Sequence, residues 1–279
     1  MMRSLFSGFV LFFAALLLLT AMLFAGDIPA YSLAVLPQMP PVTMHTIWSP
    51  FAKRLSRKTA IRFELKLYES MDQFESDISR GKPDFVYLHS AQMVGAKLEQ
   101  GYIPIVRNSR PVSGSIAVRK DSPIRSLREL EGKTVAFVGK KNLCRLLLDR
   151  VLIDEQHITV KSVYAGTASN MLKHVILSKV DAGGVLDLSI EKLPPEMLKQ
   201  IRIIYTSEKI APHALAAHPR VPARVRATVA DAVLRMDADR EYRSILAAAQ
   251  IEAPVRADYA QDYQKLEQWN ISRYFGTGE

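Results

Sequence analysis

Cysteine is almost missing from this 279-residue chain: Cys144 is the only one. A single thiol excludes an intramolecular disulfide and a cysteine-rich zinc site, so packing must supply the stability. Catalytic and nucleotide signatures are also absent. The chain holds no G-x-S-x-G, H-E-x-x-H, Walker loop or G-x-G-x-x-G, which argues against catalysis. No metal-ligand spacing and no cofactor motif is present, so neither is expected. There is no internal repeat and no long linker. With 23% charged and 48% hydrophobic residues, the composition also excludes a disordered chain. Lys and Arg outnumber Asp and Glu by 37 to 28, a formal charge of +9, which favours an anionic partner without saying which.

Charge is missing in one place above all. Residues 1–26 carry only Arg3, and residues 5–26 carry none. At about 1.5 Å per helical residue this stretch can span a hydrocarbon core of about 30 Å. It is longer than the usual signal-peptide core, and the best cut, after Ala25, has Leu23 at the third position before the bond. Export therefore follows, by a cleaved signal peptide or by an uncleaved anchor at residues 5–26. No cysteine stands near the leader to carry a lipid. Arg3 keeps the N-terminus in the cytoplasm and sends the body to the periplasm. Nucleic acid is then excluded as a partner.

After the leader, strand and helix patterns alternate. Residues 31–37, 61–67, 84–88 and 103–106 read as strands, and residues 45–57, 72–80 and 91–100 as helices. Pro50 is expected in the first turns of its helix. A second series has strands at 115–119, 133–138, 159–164, 181–186 and 201–205, and helices at 126–131, 143–153 and 168–178. The rest, at 222–236, 241–249 and 259–275, reads as helices without a new sheet. The expected fold class is α/β, two-lobed, each lobe a mostly parallel sheet flanked by helices. The expected organisation is a leader at 1–26, the first part of lobe 1 at 27–110, lobe 2 at 111–208, and a return to lobe 1 with C-terminal helices at 209–279. Crossings are expected near 107–114 and 206–213.

Three segments carry a family likeness. One is Lys82-Pro83-Asp84-Phe85-Val86-Tyr87-Leu88-His89-Ser90-Ala91-Gln92. The most specific runs from Val118-Arg119-Lys120-Asp121-Ser122-Pro123-Ile124 through Ser126-Leu127 to Gly132-Lys133-Thr134-Val135-Ala136-Phe137. The third pairs Tyr164-Ala165-Gly166-Thr167 with Asp181-Ala182-Gly183-Gly184-Val185. In this order they resemble the phosphonate-binding (PhnD-like) branch of type II periplasmic binding proteins, over about residues 31–250. The resemblance implies a hinge-closing receptor for a small anion such as phosphonate, phosphite or phosphate. It normally delivers that anion to an ABC permease, and the chain is expected to act as a monomer. One departure stands out. Where the family usually has a Ser-Thr-Ser-Gly-like run, this chain has Gly139-Lys140-Lys141-Asn142-Leu143-Cys144. The expected ligand widens accordingly to an oxyanion.

Candidate ligand residues lie at carboxyl ends of strands, where open sheets bind ligands. Gln38 and Thr43 follow the first strand; Thr43 reads alternatively as an N-cap. His89 and Ser90, with Gln92 from the family turn, close the third strand, and the structural alternative is Ser90 as N-cap. Lys140 and Lys141 can face an anion or solvent, and Asn142 can bind ligand or cap a helix. Thr167 is the expected cap of the helix at 168–178, with its hydroxyl available to a ligand. Asp187 can pair a cationic group or Lys140, or cap the following segment. Cys144, behind two lysines at a helix start, has features that lower a thiol pKa and would suit a soft ligand such as arsenite. Its i, i+4 partner Leu148 favours instead a small buried core residue. A dyad of Cys144 with His157 or His174 is the only route to an enzyme, and nothing in the sequence joins them. The same fold can also serve as a sensor subunit for a membrane histidine kinase.

Overall fold

In the computed structural model residues 30–269 are described. The leader at 1–26 lies outside them, and no helix among the described residues is long and apolar enough to cross a membrane.

The first sheet starts with β1 (Ala30–Val35), whose C-terminal half is fully buried. Helix α1 (Pro41–Thr59) follows, with Met44, Trp48, Phe51 and Leu55 on one stripe at helical spacing. The helix begins at Pro41, earlier than the sequence pattern suggests. Proline fits the first helical position, because its missing N–H would have no partner there. Pro50 therefore lies mid-helix rather than in the first turns. Then come β2 (Arg62–Lys66), α2 (Met71–Ser79), β3 (Phe85–Leu88), α3 (Ser90–Gln100) and β4 (Ile103–Asn108).

The second sheet holds β5 (Gly114–Arg119), β6 (Thr134–Phe137), β7 (Lys161–Tyr164), β8 (Ala182–Leu186) and β9 (Ile201–Thr206). A 3-10 turn at Leu127–Leu130 stands where a short helix is expected at 126–131. Helix α4 (Leu143–Asp149) runs on as a wider π-type turn at Arg150–Glu155, and α5 (Ala168–Ile176) precedes β8. Two short helices, α6 (Asp187–Ile190) and α7 (Pro195–Leu198), lead to β9.

The chain then returns to the first sheet. Here the tertiary structure departs from the sequence pattern. Besides α8 (Ala223–Met236) and α9 (Arg240–Ala248), the tail supplies two strands, β10 (Ala214–Ala217) and β11 (Pro254–Arg256). The last segment is α10 (Tyr259–Asp262) and a 3-10 turn at Gln264–Trp269, not the one helix expected at 259–275. The strand orders are β11-β4-β10-β3-β1-β2 and β7-β6-β8-β5-β9. β10 enters antiparallel between β3 and β4, and β5 pairs antiparallel with β8 and β9. Both sheets are thus mixed rather than mostly parallel, because in each a strand at a lobe crossing inserts against the βαβ direction.

The two crossings lie side by side. Val112 and Ile210 exchange N–H···O bonds of 2.9 Å in each direction. Ser207 closes the same ladder, its N–H donating to the Gly114 carbonyl at 2.8 Å and its hydroxyl accepting from the Gly114 N–H at 3.0 Å. These paired segments carry the chain between the lobes, and Val112 and Ile210 are buried there against Leu143, Leu146 and Leu147.

The core of the second lobe explains part of the Asp181–Val185 motif. β8 is sandwiched between α4 and α5, and its glycines admit the close approach. A Cβ at Gly184 would stand 2.6 Å from Phe137 Cδ1 and Cε1 and 2.8 Å from Leu148 Cδ1. Gly184→Ala is therefore expected to overpack this core and cost about 1–3 kcal/mol. Urea denaturation of parent and variant measures it, and an unchanged midpoint would contradict the packing role.

Candidate functional site

Carboxyl ends of β1, β3, β4, β6, β7 and β8 converge between the lobes. The N-terminal end of antiparallel β10 joins them. Together they bound a cleft of about 690 Å³. Its wall takes Leu36–Met39 after β1, His89 after β3, Asn108 and Arg110 at the first crossing, and Val138–Leu143 after β6. Gly166, Leu186, Leu188, Lys192, Pro212 and His213 also line it, with Met71 and Asp72 from α2 and Gln250 and Glu252 from the tail. This is the crevice beyond the strand ends where α/β sheets bind ligands.

Two buried imidazoles lie in this wall, their ring centroids 6.2 Å apart. His89, not Ser90, is the N-cap of α3. Its Nδ1 accepts the Gln92 N–H at 3.2 Å, while the Gln92 side-chain oxygen accepts the His89 N–H at 3.3 Å. An accepting Nδ1 puts the ring proton on Nε2. His213 lies stacked on Tyr87 with centroids 5.6 Å apart. The Gln250 amide donates to Gln38 Oε1 at 3.1 Å, which turns the Gln38 NH2 toward His213 Nε2, also at 3.1 Å. His213 Nε2 must then accept, so its proton sits on Nδ1. Burial pushes the His89 pKa well below the ordinary histidine value, and His213 adds to the effect. Burial alone brings His213 down to about 4. Both rings are neutral at pH 7 and contribute hydrogen bonds rather than charge.

Charge is balanced across the cleft. Lys141, on the loop after β6, reaches to the other lobe and binds Asp72 Oδ1 at 2.7 Å and Glu75 Oε2 at 2.6 Å on α2. Partial burial works to lower the Lys141 pKa, but these carboxylates outweigh it and hold it above its ordinary value. Arg110 at the crossing pairs with Glu191 at 2.6 Å. Lys140 lies in the wall and makes no ion pair among the described residues.

The remaining candidates occupy defined places. Asn142 caps α4, accepting the Cys144 N–H at 3.0 Å, and also lines the cleft. Thr167 caps α5, accepting the Asn170 N–H at 3.1 Å, and is not in the wall. Thr43 is exposed in the first turn of α1; Pro40, not Thr43, occupies the cap position. Ser90 is buried and donates to the Ala211 carbonyl, tying α3 to the second crossing. Gln92 is buried as well, and its amide donates to Glu75 Oε1 at 3.2 Å. Asp187 accepts from the Ser113 hydroxyl at 3.1 Å and the Leu188 N–H at 2.8 Å, so it anchors the first crossing rather than meeting Lys140.

Cys144 is buried beside Phe137 and Leu148 in the second-lobe core. Burial, helped by the charge of Asp149, pushes its thiol pKa up, the reverse of what the neighbouring lysines imply. Lys140 and Lys141 line the cleft, whereas Cys144 is buried in the core of the second lobe. His213, Asn108, Arg110 and Gln250 are wall residues that sequence patterns do not single out. A usable signal existed for His213: it ends an expected lobe crossing, and such crossings pass over the cleft.

The family profile described as "ABC transporter, phosphonate, periplasmic substrate-binding protein" matches residues 33–263. A comparison with curated protein sequences finds no match. Among solved structures, PhnD1 from Prochlorococcus marinus in complex with methylphosphonate is 14% identical. That match covers 90% of this chain and 100% of the other, with a TM-score of 0.73. A binding protein component of an ABC phosphonate transporter from Pseudomonas aeruginosa is 16% identical, with 90% of each chain covered and a TM-score of 0.71. XAC2383 from Xanthomonas citri bound to ATP is 17% identical, covering 88% of this chain and 98% of the other, with a TM-score of 0.72. At these identities the structures establish the two-lobed fold, and the profile match establishes the family. Its members bind solutes outside the cytoplasm for a membrane permease. The chain belongs to the periplasmic substrate-binding proteins of phosphonate ABC transporters.

Proposed function

We propose that the protein captures an oxyanion of the phosphonate class between its lobes and presents the closed form to an ABC permease. The observation that carries this reading is the cleft itself: about 690 Å³ at the strand ends, spanned by a two-strand crossing and walled by both lobes. The His89 ring, which now meets the Lys141 backbone of the second lobe, and the Asn108 amide come from the first lobe, and Lys140 and Asn142 from the second. An anion held by both sides is desolvated only when the lobes close, so binding and closure are one event. One chain supplies both walls, so the binding unit is a monomer. A retained segment at residues 5–26 would hold the receptor beside its permease and raise its local concentration.

Thermal denaturation with phosphate, phosphite, methylphosphonate, sulfate, methanesulfonate and arsenite tests the reading. A phosphonate or phosphite is expected to raise the Tm with concentration, worth about 2.7 kcal/mol at a hundredfold excess over Kd. His89→Ala and Lys140→Ala are each expected to weaken that response. If no oxyanion shifts the Tm, and longer organic phosphonates fail as well, the reading is wrong.

A further inference from the structure

We infer that the oxyanion recognised in the cleft carries a bulky apolar substituent, so that the true ligand is an amphipathic organic phosphonate rather than a bare or methyl-sized head group. This rests on the receptor reading above and specifies the ligand of the same site.

Size is the first ground. Pockets of roughly 300–1,000 Å³ enclose drug-sized ligands. At about 690 Å³ the cleft is several times larger than a methylphosphonate needs. A methylphosphonate would leave much of this volume unfilled unless the lobes closed further around it.

Wall chemistry is the second. Met39 and Met71 from the first lobe and Val138, Leu186 and Leu188 from the second line the cleft with part of their surface open, above a buried Leu36. Met39 is among the large hydrophobic side chains left exposed, at 38%. Apolar side chains gathered from both lobes gain from covering only if the ligand itself is apolar there. Methionine, with its flexible thioether, adapts to a variable apolar group.

Charge is the third. Lys141 is committed to Asp72 and Glu75, and Arg110 to Glu191. The two imidazoles are neutral. What remains in the wall is Lys140 and Lys192 against Glu252. Two lysines offset by a carboxylate suit one oxyanion head. The Asn108 and Asn142 amides add neutral donors, but Arg110 is paired with Glu191 and leaves the wall no free guanidinium to fork onto that head. The free energy of capture must then come largely from apolar burial.

Isothermal titration calorimetry with methyl-, butyl-, hexyl- and phenylphosphonate, and with hexanesulfonate and hexanoate, decides the matter. Affinity is expected to rise about fourfold per added methylene until the cleft is filled. Binding of the longer ligands should show a negative heat-capacity change. Leu188→Asn is expected to flatten the chain-length dependence, which non-specific partitioning of a surfactant would not do. Equal or tighter binding of methylphosphonate than of hexylphosphonate would overturn the inference and leave the receptor reading intact. A slope that Leu188→Asn does not change would overturn it too. Binding of hexanoate with no binding of any phosphonate would support the apolar subsite and overturn the phosphonate head. Failure of every ligand in the series would overturn the receptor reading itself.

Discussion

Lys141→Ala is expected to release the two lobes from each other in the free protein. The ammonium of Lys141 is the partner, across the cleft, of a Glu75 side chain that is only 10% exposed. Removing one member of a buried ion pair costs about 3–5 kcal/mol, because the other charge is left without compensation. Glu75 keeps the Gln92 amide, which satisfies one lone pair but no charge. The molecule has a way to relieve this: opening the cleft exposes Glu75 to water. The penalty therefore falls on the closed arrangement. About 3 kcal/mol would shift the closed-to-open ratio by about a hundredfold. Small-angle X-ray scattering of the ligand-free protein should show a larger radius of gyration for the variant. Apolar contacts of Leu143, Leu146 and Leu147 in the cluster that includes Val112 and Ile210 remain as the pivot. Asp72→Asn is the control. That carboxylate is 82% exposed, and an ion pair to so exposed a group contributes little. Its scattering profile should match the parent. Identical profiles for Lys141→Ala and parent would show that the ion pair does not hold the lobes.

Acidification is expected to destabilise the protein well above the carboxylate range. An unfolded histidine titrates near 6.5, while His213 in the folded protein titrates at about 4. Between these values the unfolded chain binds the extra proton, so stability falls as pH falls through this window. The gap is worth about 3 kcal/mol for His213, at 1.36 kcal/mol per pH unit. His89, held further below its ordinary value, acts in the same direction. Asp77 belongs to a lower window. Burial works against its charge, but hydrogen bonds from Lys66 and Lys82 win and bring it to about 2, so its contribution is lost only below its usual 3.8. Asp149 opposes the trend, since burial raises its pKa and its proton favours the folded state. Urea unfolding at pH 7.0 and pH 4.5 gives the measurement. His213→Gln keeps a polar group beside Gln38 and removes the titration, so its difference between the two pH values should shrink by up to about 3 kcal/mol. Parallel profiles would contradict the buried neutral ring.

Local patterns carried a long way here. Period-2 and period-3.6 hydrophobicity place most strands and helices to within a few residues, and the Asn142 and Thr167 caps are legible because a cap needs only its own side chain and an amide two or three residues on. Strand β10 is not legible. Ala214–Ala217 is three alanines and a leucine, with little intrinsic strand preference, and it becomes a strand because β3 and β4 offer it two hydrogen-bonding edges. The same applies to β11, where Pro254 opens an edge strand. The His89 cap was hidden for a different reason. Serine is the commoner cap, and only the ring orientation in the folded loop lets Nδ1 meet the Gln92 amide.

The sequence by itself determined the family, the alternation that makes two α/β lobes, and the strand-end loops that border the cleft. These follow from spacing along the chain. Tertiary structure alone decided which way the side chains on those loops face. Lys141 turned from a candidate anion ligand into a bridge to Asp72 and Glu75, because α2 of the other lobe lies within its reach. Cys144, the single cysteine, became an inert core thiol because its side of the turn faces Phe137 and Leu148. His213 joined the site because β10 enters the sheet beside β3 and brings its imidazole against Tyr87 and Gln38. Contacts between residues far apart in the chain set charge, burial and protonation. Local contacts set the rest, as Gln92, three residues on, does for the His89 ring.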